Sequence, residues 1–336
     1  MKRNMKQWLF DYAASPVKKA MPILSFPSAQ LLGVSVKELI ADSDMQARGM
    51  CMVAERTPAA ASVSLMDLSV EAEAFGAKVI TSENEVPTVK GRMITSEEEA
   101  KSLPVPKIGA ARTGIYIEAI EKAVLRIVDR PVLAGVIGPF SLAARLLDVT
   151  EIMMDCYDEP DMVHIVLEKA TSFLIEYCKA YKKVGADGIV MAEPVAGLLS
   201  PSLEEEFSSP YVKKIVDSVQ DDEFLVIYHN CGDNTPKMTE SILSTGAAAY
   251  HFGNSIDMKQ MLTRFPKDTV VMGNVDPAGA FFGGTPESVR AQTLAVMEAC
   301  AEHSNFVISS GCDIPPMSPW ENIDAFFAAV EEYYAR

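Results

Sequence analysis

Short apolar runs recur along this chain at 22–26, 61–65, 132–137, 188–192, 224–228, 247–250, 269–272 and 306–309, many closing on Gly, Pro, Asp or Asn. Between them lie longer stretches with helical spacing. In 160–184, for example, Val163, Val166, Leu167, Phe173, Leu174 and Tyr177 follow a period near 3.6, and 287–300 and 321–334 behave likewise. Strands that alternate with helices must lie parallel, because each is carried back to the sheet by a crossover helix that covers it. No run leads into G-x-G-x-x-G, which disfavours a doubly wound dinucleotide-binding sheet. Eight runs predict an α/β protein, a single (β/α)8 TIM barrel spanning residues 1–336.

Two segments stand outside the alternation. Residues 1–20 carry Lys2, Arg3, Lys6, Lys18 and Lys19 against Asp11, and their apolar Trp8-Leu9-Phe10 stops too soon for an export signal. This reads as an amphipathic lead-in helix. The polar, proline-bearing segment 77–106 reads as an excursion with an extra hairpin after the second strand, within one domain. The whole chain is acidic, at −16, so nucleic acid is an unfavourable partner. The longest strongly apolar uncharged stretch, 131–144, holds two prolines and two glycines and is too short to span a bilayer. Six scattered cysteines without a C-x-x-C pair fit reduced thiols, and the expectation is a cytoplasmic monomer or homodimer.

In such barrels chemistry sits where the strands end. The residues just past the runs include Gln30, Asp67, Glu193, His229, Cys231, His251, Asn274, Asp276, Cys312 and Asp313. His229 and Cys231 are two apart, so an extended chain points both the same way, and closure of the barrel can carry Cys312 across the mouth to them. One imidazole and two thiols suit zinc, with a fourth position left for substrate. Glu193 or His251 could supply a fourth ligand, or either could act from behind the ligands or on the substrate. Simpler roles compete: a hydrogen-bonded histidine with buried thiols, helix caps for Asp67, Asn274 and Asp276, or nearby backbone amides satisfied by Glu193.

The chain resembles the uroporphyrinogen decarboxylase superfamily, in its methylcobamide:thiol (coenzyme M-type) methyltransferase branch. The resemblance rests on 66–76 (Met66-Asp67 through Gly76), Leu199-Ser200-Pro201 with Pro210-Tyr211, His229-Asn230-Cys231-Gly232, Gly273-Asn274-Val275-Asp276-Pro277 and Gly311-Cys312-Asp313-Ile314-Pro315-Pro316. In that branch a His-x-Cys pair and a late Cys bind zinc, which implies His229, Cys231 and Cys312. Decarboxylases of the superfamily lack this triad and carry arginines after the first strand; here Arg48 is the only arginine between residues 4 and 55.

The resemblance implies transfer of a methyl group from a methylated corrinoid to an activated thiol such as coenzyme M. His229, Cys231 and Cys312 would hold the metal, Asp67 and Glu193 would assist catalysis, and Gln30, His251, Asn274 and Asp276 would line the substrate site. No D-x-H-x-x-G element occurs, so the methylcobamide is expected on a separate corrinoid protein. A sulfonate thiol would want a basic contact, for which Lys237, Arg112 and Arg145 are sources; homocysteine, another thiol or a folate are alternative acceptors. The competing readings are a zinc-independent decarboxylase-like lyase and a non-catalytic corrinoid- or tetrapyrrole-binding protein.

Overall fold

The computed structural model of the protein describes residues 2–336. Among the described residues seven strands form one sheet: β1 (Ser62–Val63), β4 (Val132–Ile137), β5 (Gly188–Ala192), β6 (Leu225–Asn230), β7 (Ala249–Phe252), β8 (Val270–Val275) and β9 (Phe306–Ser310). They pair in that order and every pair is parallel. The remaining two, β2 (Val79–Ile80) and β3 (Thr88–Val89), make the small antiparallel hairpin of the excursion. The architecture is the α/β barrel the alternation predicts.

The expected strand at 22–26 is corrected: no ladder forms there. The chain nevertheless closes the barrel at this place, since Met21 N donates to Ile308 O of β9 (3.0 Å) and Ala60 N, just before β1, donates to Ala20 O (2.9 Å). Pro22 has no N–H to donate at its place in a ladder, and Pro27 ends the segment. Ile23 N takes the Ser310 hydroxyl instead (3.0 Å).

Side chains divide by parity. Leu225, Ile227, Ala249, Val270, Met272 and Val307 point into the barrel and form one buried cluster. Their neighbours Val226, Tyr228, Tyr250, Val271 and Ile308 face outward into the larger cluster shared with the helices. Strands β6, β7 and β8 run two or three residues further than the apolar pattern indicates, because polar residues continue the backbone ladder at the same parity. His229, His251 and Asn274 therefore stand inside strands, in line with the inward-facing apolar residues. The interior is apolar at its base and polar at its mouth.

The lead-in helix Met5–Ala14 is capped by Asn4, whose side chain accepts from Gln7 N (2.8 Å). Met5 and Lys6 donate to Asp222 O, ahead of β6, and Met5 and Leu9 join the interior cluster, so the helix plugs the end opposite the mouth. Among the described residues no helix is long and apolar enough to cross a membrane.

Glu71, on the helix Val70–Ala74, is buried among the helices. Its Oε1 accepts from Ile137 N (3.1 Å), while Oε2 has no partner. Burial drives the carboxyl from 4.5 up to about 8. Between these two values the unfolded chain ionises this group and the folded chain does not, so stability falls as pH rises through that window. Glu71→Gln removes the effect; its melting temperature is expected to exceed that of the wild type by more at pH 8 than at pH 5. Equal differences at the two pH values would refute a neutral Glu71.

Candidate metal centre at the barrel mouth

His229, Cys231 and Cys312 converge, with one ligand atom from each lying within 4.8 Å of the others. His229 Nε2 is 3.4 Å from Cys312 Sγ. The edges of a tetrahedral zinc site with N and S ligands are about 3.5–3.8 Å, from bond lengths near 2.0–2.3 Å, so the donor set fits in both chemistry and span. Among the described residues no other group of three or more His, Cys, Asp or Glu side chains is gathered in this way. The neighbouring Cys312 thiol pulls Cys231 below its usual range. The interaction with Cys231, followed by burial, pushes Cys312 up to about 12.

Close backbone approach shapes the cluster. A Cβ on Gly253 would lie 2.4 Å from Cys231 Cβ, and one on Gly232 would lie 2.5 Å from the backbone of Gly197. Glycine at both positions lets the loops after β5, β6 and β7 pack against each other and seats the Cys231 side chain.

His251 sits beside His229 by strand register, the two being paired residues of β6 and β7. Both of its ring nitrogens are engaged, Nδ1 with His229 Nδ1 (2.8 Å) and Nε2 with Ser309 Oγ (2.7 Å). Burial, then the neighbouring His229, holds the His251 ring well below the usual histidine range, so it is neutral. It lies behind the donor cluster.

The other residues singled out from the sequence are brought to the same end of the barrel but bonded elsewhere. Glu193 is fully buried and bound at the start of the helix Pro139–Leu147: Oε1 accepts from Phe140 N (2.8 Å) and Oε2 from Ser141 N (2.9 Å) and Ser141 Oγ (2.7 Å). Burial pushes its carboxyl up to about 7 against these bonds. Asp67 accepts from Ser69 N (3.1 Å), Ser69 Oγ (2.6 Å) and Tyr116 OH (2.8 Å), and pairs with Arg112. Asp276 caps the turn Pro277–Phe282, accepting from Ala278 N and Gly279 N (both 2.9 Å). Asn274 donates to Gly253 O (2.8 Å) and Ile256 O (2.6 Å), and Gln30 to Pro316 O (2.7 Å) and Ser318 O (2.9 Å). These five hold the loops that shape the mouth.

Sequence reasoning did not single out Ser309. It stands two residues past the inward-facing Val307, and that parity was the available signal. Asp313, next to Cys312, accepts from Ser25 Oγ (3.3 Å); burial, then the adjacent thiol, raises its carboxyl well above the usual range.

The chain is similar to proteins with two different named activities. The methylcobamide:CoM methyltransferase MtbA of Methanosarcina mazei is 27% identical over 271 residues, covering 80% of this chain and 78% of that protein. The uroporphyrinogen decarboxylase of Coxiella burnetii is also 27% identical, over 83% of this chain and 78% of its own. A solved methyltransferase from Methanosarcina mazei superposes with a TM-score of 0.86 at 24% identity, covering 98% of this chain and 99% of that one, which shows a shared fold. The family model described as uroporphyrinogen decarboxylase (URO-D) matches residues 14–333, nearly the full length, and the chain belongs to that family.

Proposed function

We propose that this protein is a zinc-dependent methyltransferase that moves a methyl group from a methylated corrinoid, carried by a separate protein, to a thiol such as coenzyme M. The observation that carries this reading is the convergence of His229 Nε2 with the Cys231 and Cys312 thiols at the barrel mouth. Identity does not separate the two activities found in the family, since methyltransferase and decarboxylase relatives are equally similar to this chain. The donor set favours methyl transfer. Decarboxylating a polycarboxylated ring calls for basic residues to hold its carboxylates, and the segment 22–30 has none.

Bound by His229, Cys231 and Cys312, zinc would let an incoming thiol be present as thiolate at neutral pH, where a free thiol with pKa ~8.5 is mostly protonated. The two cysteines place negative charge beside the acceptor sulfur and so sustain its nucleophilicity. In the transfer the thiolate sulfur forms the new S–CH3 bond as the Co–C bond breaks, and that bonding pair stays on cobalt as Co(I). Leu198, Phe282 and Met317, in the segments after β5, β8 and β9, are exposed by 54%, 51% and 48%. They offer apolar surface at the mouth to a corrin face or its carrier. For a sulfonate thiol, Arg112 is already committed to Asp67, Glu73 and Ser69, whereas Lys237 and Arg145 have no carboxylate partner among the described residues.

The test is metal content together with turnover. Protein purified without chelator is expected to hold one zinc per chain and to demethylate free methylcobalamin only when a thiol is added, followed by the absorbance of the released cobalamin. Failure with every thiol tried, including coenzyme M and homocysteine, would sink the reading.

A further inference from the structure

A chain of buried hydrogen bonds runs from the backbone that closes the barrel to the metal-facing histidine, and its direction can be deduced. Ser309 Oγ is 2.8 Å from Met21 O. A carbonyl can only accept, so the serine proton points to Met21, and the Ser309 lone pair is left to accept from His251 Nε2 at 2.7 Å. His251 Nδ1 then faces His229 Nδ1 at 2.8 Å, and one of the two must donate. A second contact decides which. His229 Nδ1 also lies 3.3 Å from the carbonyl oxygen of His251, a neighbour that accommodates an N–H and repels a lone pair. These contacts put a proton on His229 Nδ1, and in the neutral ring that leaves Nε2 bare, 3.4 Å from Cys312 Sγ.

We propose that Ser309 and His251 are positioning residues that hold His229 as the Nδ1-protonated tautomer, with its Nε2 lone pair committed to the thiol cluster before any metal arrives. In water neutral imidazole interconverts between two tautomers, and only a bare nitrogen can ligate. All three side chains are almost wholly buried, at 1% exposure for His229, 2% for His251 and 0% for Ser309, so water does not compete for these bonds. The relay starts on Met21, in the segment that takes the place of an eighth strand, so closure of the barrel and orientation of the ligand are one arrangement. The choice of zinc as the ion rests on the function proposed above; the tautomer does not.

The chain has four histidines, which keeps a nitrogen-labelled histidine spectrum simple. Long-range proton–nitrogen NMR on the metal-free full chain, with His229→Gln used for assignment, is expected to show His229 protonated at Nδ1 and bare at Nε2, and His251 protonated at Nε2 and bare at Nδ1. Competition against a chromophoric chelator should show zinc bound roughly 10–100-fold more weakly by Ser309→Ala, the usual effect of losing a group that orients a metal ligand. Ser309→Thr keeps the hydroxyl and should bind more tightly than the alanine variant. A His229 protonated at Nε2, or a Ser309→Ala variant that binds zinc as the wild type does, would overturn the proposal. Wild type that binds no zinc would refute the methyltransferase reading, while the spectrum alone would still decide the relay.

Discussion

Cys312→Ala is expected to lower thiol-dependent demethylation of methylcobalamin by at least about 100-fold while leaving the far-UV circular dichroism unchanged. Losing a group that merely orients a ligand costs roughly 10–100-fold in metal affinity or activity, and loss of a ligand should cost more. The substitution takes one of three converging donors and leaves His229 Nε2 facing a methyl group. The fold does not depend on the thiol, because Cys312 is only partly buried and lies outside both apolar clusters that form the core. Cys51, half-buried on the helix Ser43–Arg56, is the control: Cys51→Ala should keep wild-type turnover. Chelation should act as Cys312→Ala does, abolishing turnover and sparing helical signal. A protein that used the metal only for stability would unfold instead. An unchanged rate in Cys312→Ala would remove the basis of the metal reading.

The largest loss of stability is expected from Arg112→Ala. Arg112 donates from Nε to Glu73 (2.6 Å) and from Nη2 to Ser69 Oγ (2.8 Å), and pairs through Nη1 with Asp67. The Asp67 side chain is fully buried and that of Arg112 is 12% exposed. Removing the guanidinium leaves a carboxylate inside the protein without its countercharge, a change that costs about 3–5 kcal/mol at comparable sites. The melting temperature should drop by several degrees. Arg112→Lys should recover only part of this, because a single ammonium cannot serve three directions in one plane. Had Arg112 served to bind a sulfonate, its loss would raise the KM for coenzyme M and spare stability. A wild-type melting temperature in Arg112→Ala would refute the structural assignment.

The positions of the donor residues could be read directly from the chain. His229 and Cys231 follow one apolar run, Cys312 follows another, and strand parity with barrel closure is enough to bring them to one mouth. Their neighbours could not be read in the same way. Glu193 at a strand end reads equally as a ligand, a substrate contact or an acceptor for backbone amides, and only the start of the helix Pro139–Leu147, which presents two N–H groups and the Ser141 hydroxyl to it, decides for the last. Asp67 is taken by an arginine 45 residues away. The run at 22–26 has the apolar character of a strand, but Pro22 has no N–H and Ile23 N donates to a serine hydroxyl, and periodicity registers side chains while ladders are made of backbone N–H groups.

Local pattern therefore determined the class of fold, the end of the barrel where chemistry belongs, and the identity of the three metal-type donors. These depend on side-chain spacing along a single strand or loop. Only the tertiary structure decided what each polar group is bonded to. Register set His251 against His229, and closure of the barrel set Ser309 against Met21. The reason is physical: a hydrogen bond is made over about 3 Å and its direction depends on every partner in the chain, so the state of His229 is fixed by residues up to 208 positions away in sequence.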